Sequence, residues 1–323
     1  MKKIIATILT AVMALTCLAS CSKVSDMVNM DKINIVTTIF PEYDWVRNVV
    51  GNNENVEITL LLDNGADLHS YQPTTDDVLK IATCDLFIYV GGESDEWVDD
   101  ALKQATNKDM KVIDLMEVLG DEAYEEEIIE GMEAEEEEGE DEEEIEYDEH
   151  VWLSLKNAMV FVQKIADTLK EIDPDSAAVY ESNAQAYKDK LMNIDERCRS
   201  ELTIKSNKTM VFADRFPFRY FNEDYDINYY AAFVGCSAET EASFETILFL
   251  AEKVDENDLN VIFTVDNSDQ KIAKTVIDNT ASKDQTILVL DSMQTTDKAA
   301  IDAGATYLDI MAKNVQTITD ALE

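Results

Sequence analysis

Two histidines are the only imidazole side chains in this chain of 323 residues, and each lies where a loop, rather than an apolar face, is expected. His69 lies in the polar segment 64–73, and His150 lies in segment 147–153, where a run of acidic residues ends. Neutral imidazole is the commonest side-chain ligand for metals such as Zn²⁺, and a nearby carboxylate can hold the second ring nitrogen. Taken singly, each histidine is more often an ordinary surface residue, and sequence spacing does not pair them. Both are therefore candidate metal ligands that the residues alone do not join into one site.

The charge of the chain is extreme and unevenly placed. The formal net charge is −42, and residues 121–149 hold 19 acidic residues with no Lys or Arg. A surface this acidic repels a phosphate backbone, which excludes nucleic acid as a partner. Residues 133–149 have low complexity and are expected to form a solvated loop. Two interpretations of this loop stay open: an insertion that keeps the protein soluble, or a weak collector of divalent cations, which carboxylates on a flexible chain attract without fixing their geometry.

Strand and helix patterns alternate on both sides of the acidic loop, which predicts two parallel sheets covered by helices. The predicted strands are 33–38, 56–62, 86–90, 112–115, 209–213, 228–233, 260–265 and 286–290. The predicted helices are 43–50, 75–82, 96–105, 154–172, 174–202, 243–254, 269–279 and 297–322. In such folds the ligand binds at the carboxyl ends of the strands.

The helix predicted over residues 174–202 is long enough, at roughly 40 Å, to span a small domain. Its apolar positions recur at steps of four and three, so they share one face: Tyr180, Ala184, Tyr187, Leu191, Ile194, Cys198 and Leu202. Two α/β lobes joined by one such helix leave a cleft between them, which is an architecture for binding.

The N-terminus has the features of a bacterial lipoprotein signal. Lys2 and Lys3 precede an apolar run over residues 4–18, and Leu-Ala-Ser then precedes Cys21, the expected lipidation site. The alternative is an ordinary signal peptide with a chance cysteine. The expected mature chain is exported and tethered to the cell membrane by lipid. Cys84, Cys198 and Cys236 show no short spacing, so neither a cysteine-rich zinc site nor a disulfide framework is indicated, and a single disulfide stays open.

These features predict an organisation in five parts. They are a signal peptide over 1–20, a lipidated tether over 21–32, a first α/β lobe over 33–153 that includes the acidic loop 121–149, helices over 154–203 that include the linking helix, and a second α/β lobe over 204–323.

Several segments resemble one family along the whole expected mature chain. Segment 67–73, Asp-Leu-His-Ser-Tyr-Gln-Pro, resembles the first ligand motif of the zinc/manganese substrate-binding proteins of bacterial ABC importers. Segment 148–153, Asp-Glu-His-Val-Trp-Leu, resembles their second ligand motif, and both histidines fall on these motifs. Segments 85–97, 173–187, 240–243 and 290–293 are similar to further parts of the family, in the same order.

The resemblance implies two lobes bridged by a rigid helix, with a metal held between them by four side chains, two from each lobe. It further implies a protein that acts as a monomer and delivers the metal to a membrane permease. Carried over to this chain, it implies His69 and His150 from the first lobe and Asp291 from the second. The chain departs from the family at the third ligand, because Arg215 stands where the family has His or Glu and a guanidinium does not bind a cation.

Arg215 is therefore expected to brace a carboxylate while a neighbouring group takes the third position. The candidates are Asp214, Cys236, Glu239 and Glu241, of which Glu239 is favoured because its loop follows the end of a strand. Glu241 falls at a position that the family tends to keep acidic, which is consistent with a structural role.

Two imidazoles with one or two carboxylates suit Zn²⁺, and also Mn²⁺ if more than four contacts form, while the Irving–Williams order favours Zn²⁺. The prediction is thus an extracytoplasmic zinc receptor. The alternatives are a manganese receptor of the same type and a surface adhesin with incidental metal binding. A hydrolytic zinc enzyme is disfavoured, because the sequence lacks a His-Glu-x-x-His pair and a Gly-x-Ser-x-Gly turn.

Overall fold

The computed structural model describes residues 32–133, 146–237 and 241–322, so the predicted lipidation site Cys21 and the predicted ligand Glu239 lie outside the described residues. The described chain forms two α/β lobes, each built on a four-stranded sheet in which every pairing is parallel. The predicted fold class is therefore confirmed.

The first lobe has the strand order β2-β1-β3-β4. Its elements are β1 (Ile33–Thr37), α1 (Phe40–Val50), β2 (Val56–Leu60), α2 (Thr75–Thr83), β3 (Leu86–Tyr89), α3 (Trp97–Lys103), β4 (Lys111–Asp114) and α4 (Leu115–Leu119). The chain moves to one side of β1 to form β2 and to the other side to form β3. A crevice opens at such a switch point, at the carboxyl ends of the strands.

Two helices connect the lobes, α5 (Leu155–Ile172) and α6 (Ala177–Thr203). The 27 residues of α6 span about 40 Å. Six of the seven residues of its predicted apolar face are buried, and Ile194 is half-buried: Tyr180, Ala184, Tyr187, Leu191, Cys198 and Leu202. The resulting core runs without interruption from the first sheet, through these helices, to one face of the second sheet.

The second lobe repeats the topology with the order β6-β5-β7-β8. Its elements are β5 (Thr209–Phe216), α7 (Arg219–Tyr225), β6 (Asn228–Val234), α8 (Phe244–Glu256), β7 (Val261–Val265), α9 (Lys271–Asn279), β8 (Thr286–Leu290), α10 (Lys298–Asp302) and α11 (Tyr307–Ala321). Helix α11 packs back on α6 and α1, so the two lobes share a helical layer. In the described ranges, none of the helices has the length and apolarity that a bilayer crossing requires.

The predicted helix over residues 297–322 is wrong in its continuity, because the structure divides it into α10 and α11. Gly304 adopts φ +99°, a conformation that ends a helix, and the Thr306 hydroxyl then accepts a hydrogen bond from the Asp309 amide to begin α11. Two short helices, α4 and α7, were not predicted, since five and seven residues give too little periodicity to detect.

The expectation that residues 133–149 form a solvated loop is wrong for its last part, because Asp148 and Glu149 are buried. The backbone of residues 146–148 pairs with that of residues 124–126, through the Glu126 amide to the Glu146 carbonyl and the Asp148 amide to the Tyr124 carbonyl. Residues 124–133, the crossing segment, then lie against the second lobe, where the Glu133 amide donates to the Ala232 carbonyl. Backbone hydrogen bonds and burial thus order the last part of this acidic segment, despite the cost of burying its carboxylates.

Candidate metal centre

His69 is positioned by a short 3₁₀ turn (Leu68–Ser70) in the loop after β2. The Asp67 carboxylate caps this turn by accepting a hydrogen bond from the His69 amide at 3.1 Å, and the buried Leu68 anchors it in the core. On the imidazole, Nδ1 lies 2.7 Å from the Ser94 hydroxyl and 3.7 Å from the Glu149 carboxylate. With Nδ1 held as a donor, Nε2 is left with a free lone pair.

His150 is completely buried at the start of a second 3₁₀ turn (Val151–Leu153). The Asp148 carboxylate lies 2.8 Å from its Nδ1 and also accepts from its backbone amide at 2.9 Å. Gly235 of the second lobe makes room for the ring, since a Cβ there would lie 2.7 Å from the imidazole Cε1. Here too the carboxylate on Nδ1 sets the tautomer, so that Nε2 carries the lone pair.

The two imidazoles converge, with their Nε2 atoms 3.2 Å apart. Two lone pairs at this distance repel each other unless a cation or a hydrogen-bond donor lies beside both. Burial, followed by the neighbouring His150, lowers the pKa of His69 to about 3, so its ring is neutral at ordinary pH. Two imidazoles whose Nε2 atoms converge, each with its Nδ1 held by a neighbouring oxygen, form an arrangement that can bind a transition metal.

Gln294 of the second lobe contacts both histidines, although sequence analysis did not single it out. Its side-chain nitrogen lies 2.8 Å from Nε2 of His69 and 3.0 Å from Nε2 of His150. The Trp152 indole positions this loop by donating to the Ser292 carbonyl at 2.8 Å. The sequence signal that could have indicated Gln294 was the family resemblance of segment 290–293, which ends at the residue before it.

Cys236 follows the carboxyl end of β6 and completes a group of three side chains that could hold a metal ion. One ligand atom from each of His69, His150 and Cys236 lies within 4.8 Å of the others. The thiol is partly buried, and burial, together with nearby Asp148 and Glu149, raises its pKa well above the usual value. Among the described residues, it is the candidate for the third ligand that the structure brings to the imidazoles.

Arg215 lies near the end of β5, beside an irregularity in its pairing with β6. Its guanidinium binds the Asp67 carboxylate of the first lobe at 2.9 Å, and the other oxygen of that carboxylate accepts from the His69 amide. Burial acts to raise the pKa of Asp67, but the charge and hydrogen bond of Arg215, together with the contribution of His69, outweigh burial and hold the pKa below its usual range. Arg215 is therefore joined to His69 through one carboxylate.

Among the described residues, Asp291, Asp214 and Glu241 do not belong to the group of His69, His150 and Cys236. The Asp291 carboxylate accepts from the Met293 amide at 2.9 Å, and burial, with Asp266 nearby, raises its pKa to about 6. Asp214 lines a cavity of about 390 Å³ that Arg215 and Gln294 also border. Glu241 is exposed.

The crossing segment closes the site on its remaining side. Glu126 is a half-buried residue whose carboxylate accepts a hydrogen bond from the Cys236 amide, and burial, with Asp148 beside it, raises its pKa to about 7. Tyr124 packs against Tyr220 of the second lobe, and its amide donates to the Tyr220 hydroxyl at 3.0 Å. The site is thus enclosed by both lobes and by this segment.

The chain is similar to known zinc-binding proteins over nearly its whole length. The sequence model of the family described as ZnuA, zinc-uptake complex component A, periplasmic, matches residues 35–321. The zinc-binding lipoprotein AdcA of Streptococcus pneumoniae (strain ATCC BAA-255 / R6) is 32% identical over 290 residues, which cover 89% of this chain and 55% of AdcA. The high-affinity zinc uptake system protein ZnuA of Bacillus subtilis (strain 168) is 28% identical over 295 residues, covering 90% of this chain and 88% of that protein.

Solved structures show the same arrangement of lobes. The Zn(II)-bound ZnuA-like domain of Streptococcus pneumoniae AdcA has a TM-score of 0.70 at 28% identity and covers 90% of this chain and 98% of that domain. The metal-dependent lipoprotein YcdH from Bacillus subtilis has a TM-score of 0.72 at 25% identity, covering 90% of this chain and all of the other. The chain spans about half the length of the streptococcal AdcA proteins that it matches.

Proposed function

Since the chain belongs to the family of periplasmic zinc-uptake complex component A proteins, we propose that it is an extracytoplasmic receptor that captures Zn²⁺ between its lobes and delivers it to the permease of an ABC importer. The observation that supports this most directly is the convergence of His69 and His150, with Nε2 atoms 3.2 Å apart and each Nδ1 held by a neighbouring oxygen. Zn²⁺ is the cargo of the protein, bound and released without chemical change.

Enclosure of the site supports transport rather than catalysis. His150 is completely buried and Gln294 is 4% exposed, so protein groups surround the position between the imidazoles. A hydrolytic zinc needs an open coordination position for water and substrate. Because the contacts come from both lobes, separating the lobes would expose the ion and remove part of its coordination, which suits a receptor that must also release its cargo.

The rest of the proposal concerns the anchor and the second-lobe ligands. Cys21 is the proposed lipidation site that tethers a monomeric receptor to the membrane, as the lipobox pattern indicates. Asp291 remains a proposed ligand from the loop that carries Gln294, although its carboxylate would have to leave the Met293 amide to reach the ion. Glu239 remains a proposed ligand on sequence grounds alone.

Zinc binding to metal-free protein tests the proposal. At a hundredfold excess of Zn²⁺ over Kd, binding to the folded state alone adds about 2.7 kcal/mol, which raises the melting temperature by several degrees. His69→Ala and His150→Ala should abolish most of this increase. Gln185→Ala is the control, because that exposed amide donates to the Asp189 carboxylate one turn along α6. A melting temperature that does not respond to Zn²⁺ in the wild type would overturn the receptor assignment, as would normal zinc uptake by cells that lack the protein.

A further inference from the structure

We propose that Cys236 binds the cargo ion as a thiolate, so that this receptor holds its metal with two histidines and one cysteine and selects thiophilic cations over Mn²⁺. The inference rests on the proposed metal-receptor function and adds a ligand and a selectivity to it. It follows from three features of the site: the position of the thiol, the fit of the imidazoles to a tetrahedral ion, and the engagement of Arg215 elsewhere.

The position of the thiol is set by the end of β6. Cys236 lies two residues after Val234, at the carboxyl edge of the second sheet and facing the first lobe. Its ligand atom lies within 4.8 Å of ligand atoms on both His69 and His150. The Cys236 amide donates to the Glu126 carboxylate of the crossing segment, which fixes the backbone that carries the thiol.

The spacing of the imidazoles fits a shared tetrahedral ion. With Zn–N bonds of about 2.0–2.1 Å and a Zn–S bond of about 2.3 Å, two nitrogens lie about 3.4 Å apart and a nitrogen lies about 3.6 Å from the sulfur. The two Nε2 atoms are already 3.2 Å apart. The thiol lies at most 4.8 Å from a ring nitrogen of each histidine. Closing that separation to about 3.6 Å needs a movement of about 1.2 Å, within the reach of a side-chain rotation.

The fourth corner lies next to Gln294. In the structure its amide nitrogen, a neutral hydrogen-bond donor, faces the Nε2 atoms of both imidazoles. When an ion enters, this amide must turn its oxygen toward the ion or withdraw. Either response leaves the ion with a neutral fourth contact, so the thiolate is the one anionic ligand among these four groups.

Arg215 does not compete for this role. The resemblance places it at the third ligand position, but its guanidinium is bound to Asp67 at 2.9 Å. The second lobe thus lacks an imidazole at β5 and presents a thiol at the end of the neighbouring strand β6. Cys84 and Cys198 are buried elsewhere, with the Cys84 thiol against the Ile81 carbonyl and the Met110 sulfur, and neither belongs to the histidine group.

Thiolate binding determines which cations are preferred. The S–H bond breaks as the metal–sulfur bond forms, and the proton passes to the solvent, so one proton is released for each ion that the thiol binds. The bound ion then has a formal charge of +1, which the Asp148 carboxylate behind His150 balances. Zn²⁺ and Cd²⁺ bind thiolates well, whereas Mn²⁺ prefers oxygen ligands.

Cobalt spectroscopy on the full chain tests the inference directly. Co²⁺ added to metal-free wild-type protein should give an intense near-ultraviolet band from sulfur-to-cobalt charge transfer. The band should persist in the double variant Cys84→Ala/Cys198→Ala, in which Cys236 is the remaining thiol of the mature lipidated chain, and should be absent in Cys236→Ala. Cys236→Ala should also weaken Zn²⁺ binding by at least about 100-fold, the upper range for loss of an outer-shell partner, while Mn²⁺ binding changes less than about threefold.

A second measurement on the wild type covers the case in which Cys236→Ala fails to fold. Zn²⁺ should protect Cys236 from alkylation by iodoacetamide, as located by mass spectrometry, with the buried Cys84 as the internal reference. Alkylation of Cys236 at equal rates with and without zinc, or Co²⁺ bound without the band, would overturn the inference. Histidine-dependent zinc binding that Cys236→Ala leaves unchanged would overturn it while the receptor function stands. Absence of any zinc binding in the wild type would overturn both.

Discussion

The ion pair between Arg215 and Asp67 joins the two lobes beside the metal centre, and its removal should weaken zinc binding by a predictable amount. Asp67 uses one oxygen to cap the turn that carries His69 and the other to bind Arg215 at 2.9 Å. Loss of the guanidinium therefore frees the carboxylate from the second lobe while the cap remains. We expect the His69 turn to become less well ordered and the lobes to close less completely.

The magnitude follows from the exposure of the pair. Charge-assisted hydrogen bonds contribute roughly 1.5–3 kcal/mol when enclosed, and exposed ion pairs contribute about 0.2–1 kcal/mol. The two side chains are 23% and 21% exposed, so we place the contribution between these ranges. About 1.4 kcal/mol corresponds to a tenfold change in Kd, and Arg215→Gln should therefore weaken Zn²⁺ binding by about tenfold at low ionic strength and by less at high salt, because the pair is partly screened.

A double-mutant cycle with Asp67→Asn separates the pair from either residue alone. We expect the double variant to bind zinc no more weakly than Arg215→Gln, because the interaction is already lost. Zinc affinity is measured by competition with a chromophoric chelator. The control is Arg197→Gln, whose guanidinium binds the Ala312 carbonyl away from the site. Additive losses, or less than a twofold effect of Arg215→Gln, would refute the role of this pair.

Three further predictions follow from the contacts around the site. Gln294→Ala and Asp291→Ala identify which side chain of the loop after β8 contacts the ion. From the distances in the structure, Gln294→Ala should weaken zinc binding by about tenfold or more, and by more than Asp291→Ala does. The reverse order would show that the Asp291 carboxylate turns to the ion. Deletion of residues 134–145 should remove weak secondary binding of divalent cations and leave the tight site intact in isothermal titration, because the described contacts of the site lie outside that stretch; a large loss at the tight site would disprove this. Burial raises the pKa of Asp95 to about 7, so its carboxyl stays protonated to a higher pH in the folded protein than in the unfolded chain. Its contribution to stability is therefore fully present below about pH 4 and is lost as the pH rises through 7. The gain in free energy of unfolding of Asp95→Asn over the wild type, measured by urea unfolding of metal-free protein, should therefore be larger at pH 8 than at pH 5. An equal difference at the two pH values would contradict the assignment.

Local sequence determined the elements of this fold and the edge of each sheet at which the candidate ligands lie. Alternation of strands and helices predicts two parallel sheets, because each pattern reports which side chains face a core along one stretch of chain. The prediction of the apolar face of α6 is confirmed for the same reason, because that face depends on the spacing of residues within one helix. His69 and His150 were also visible locally, because each lies in a short motif with the acidic residues that orient it.

Tertiary structure decided which residues of the second lobe meet the two imidazoles. Gln294 and Cys236 lie on loops after different strands, and their distance from His69 depends on how the lobes dock through α6 and α11, which no spacing in the sequence encodes. The acidic segment shows the same limit. Its charge predicts a solvated loop, but the backbone of residues 124–126 pairs with that of residues 146–148, so that Asp148 is buried and Glu126 is half-buried beside the site. Composition reports the average cost of burying such residues, whereas contacts with partners distant in sequence decide whether that cost is offset.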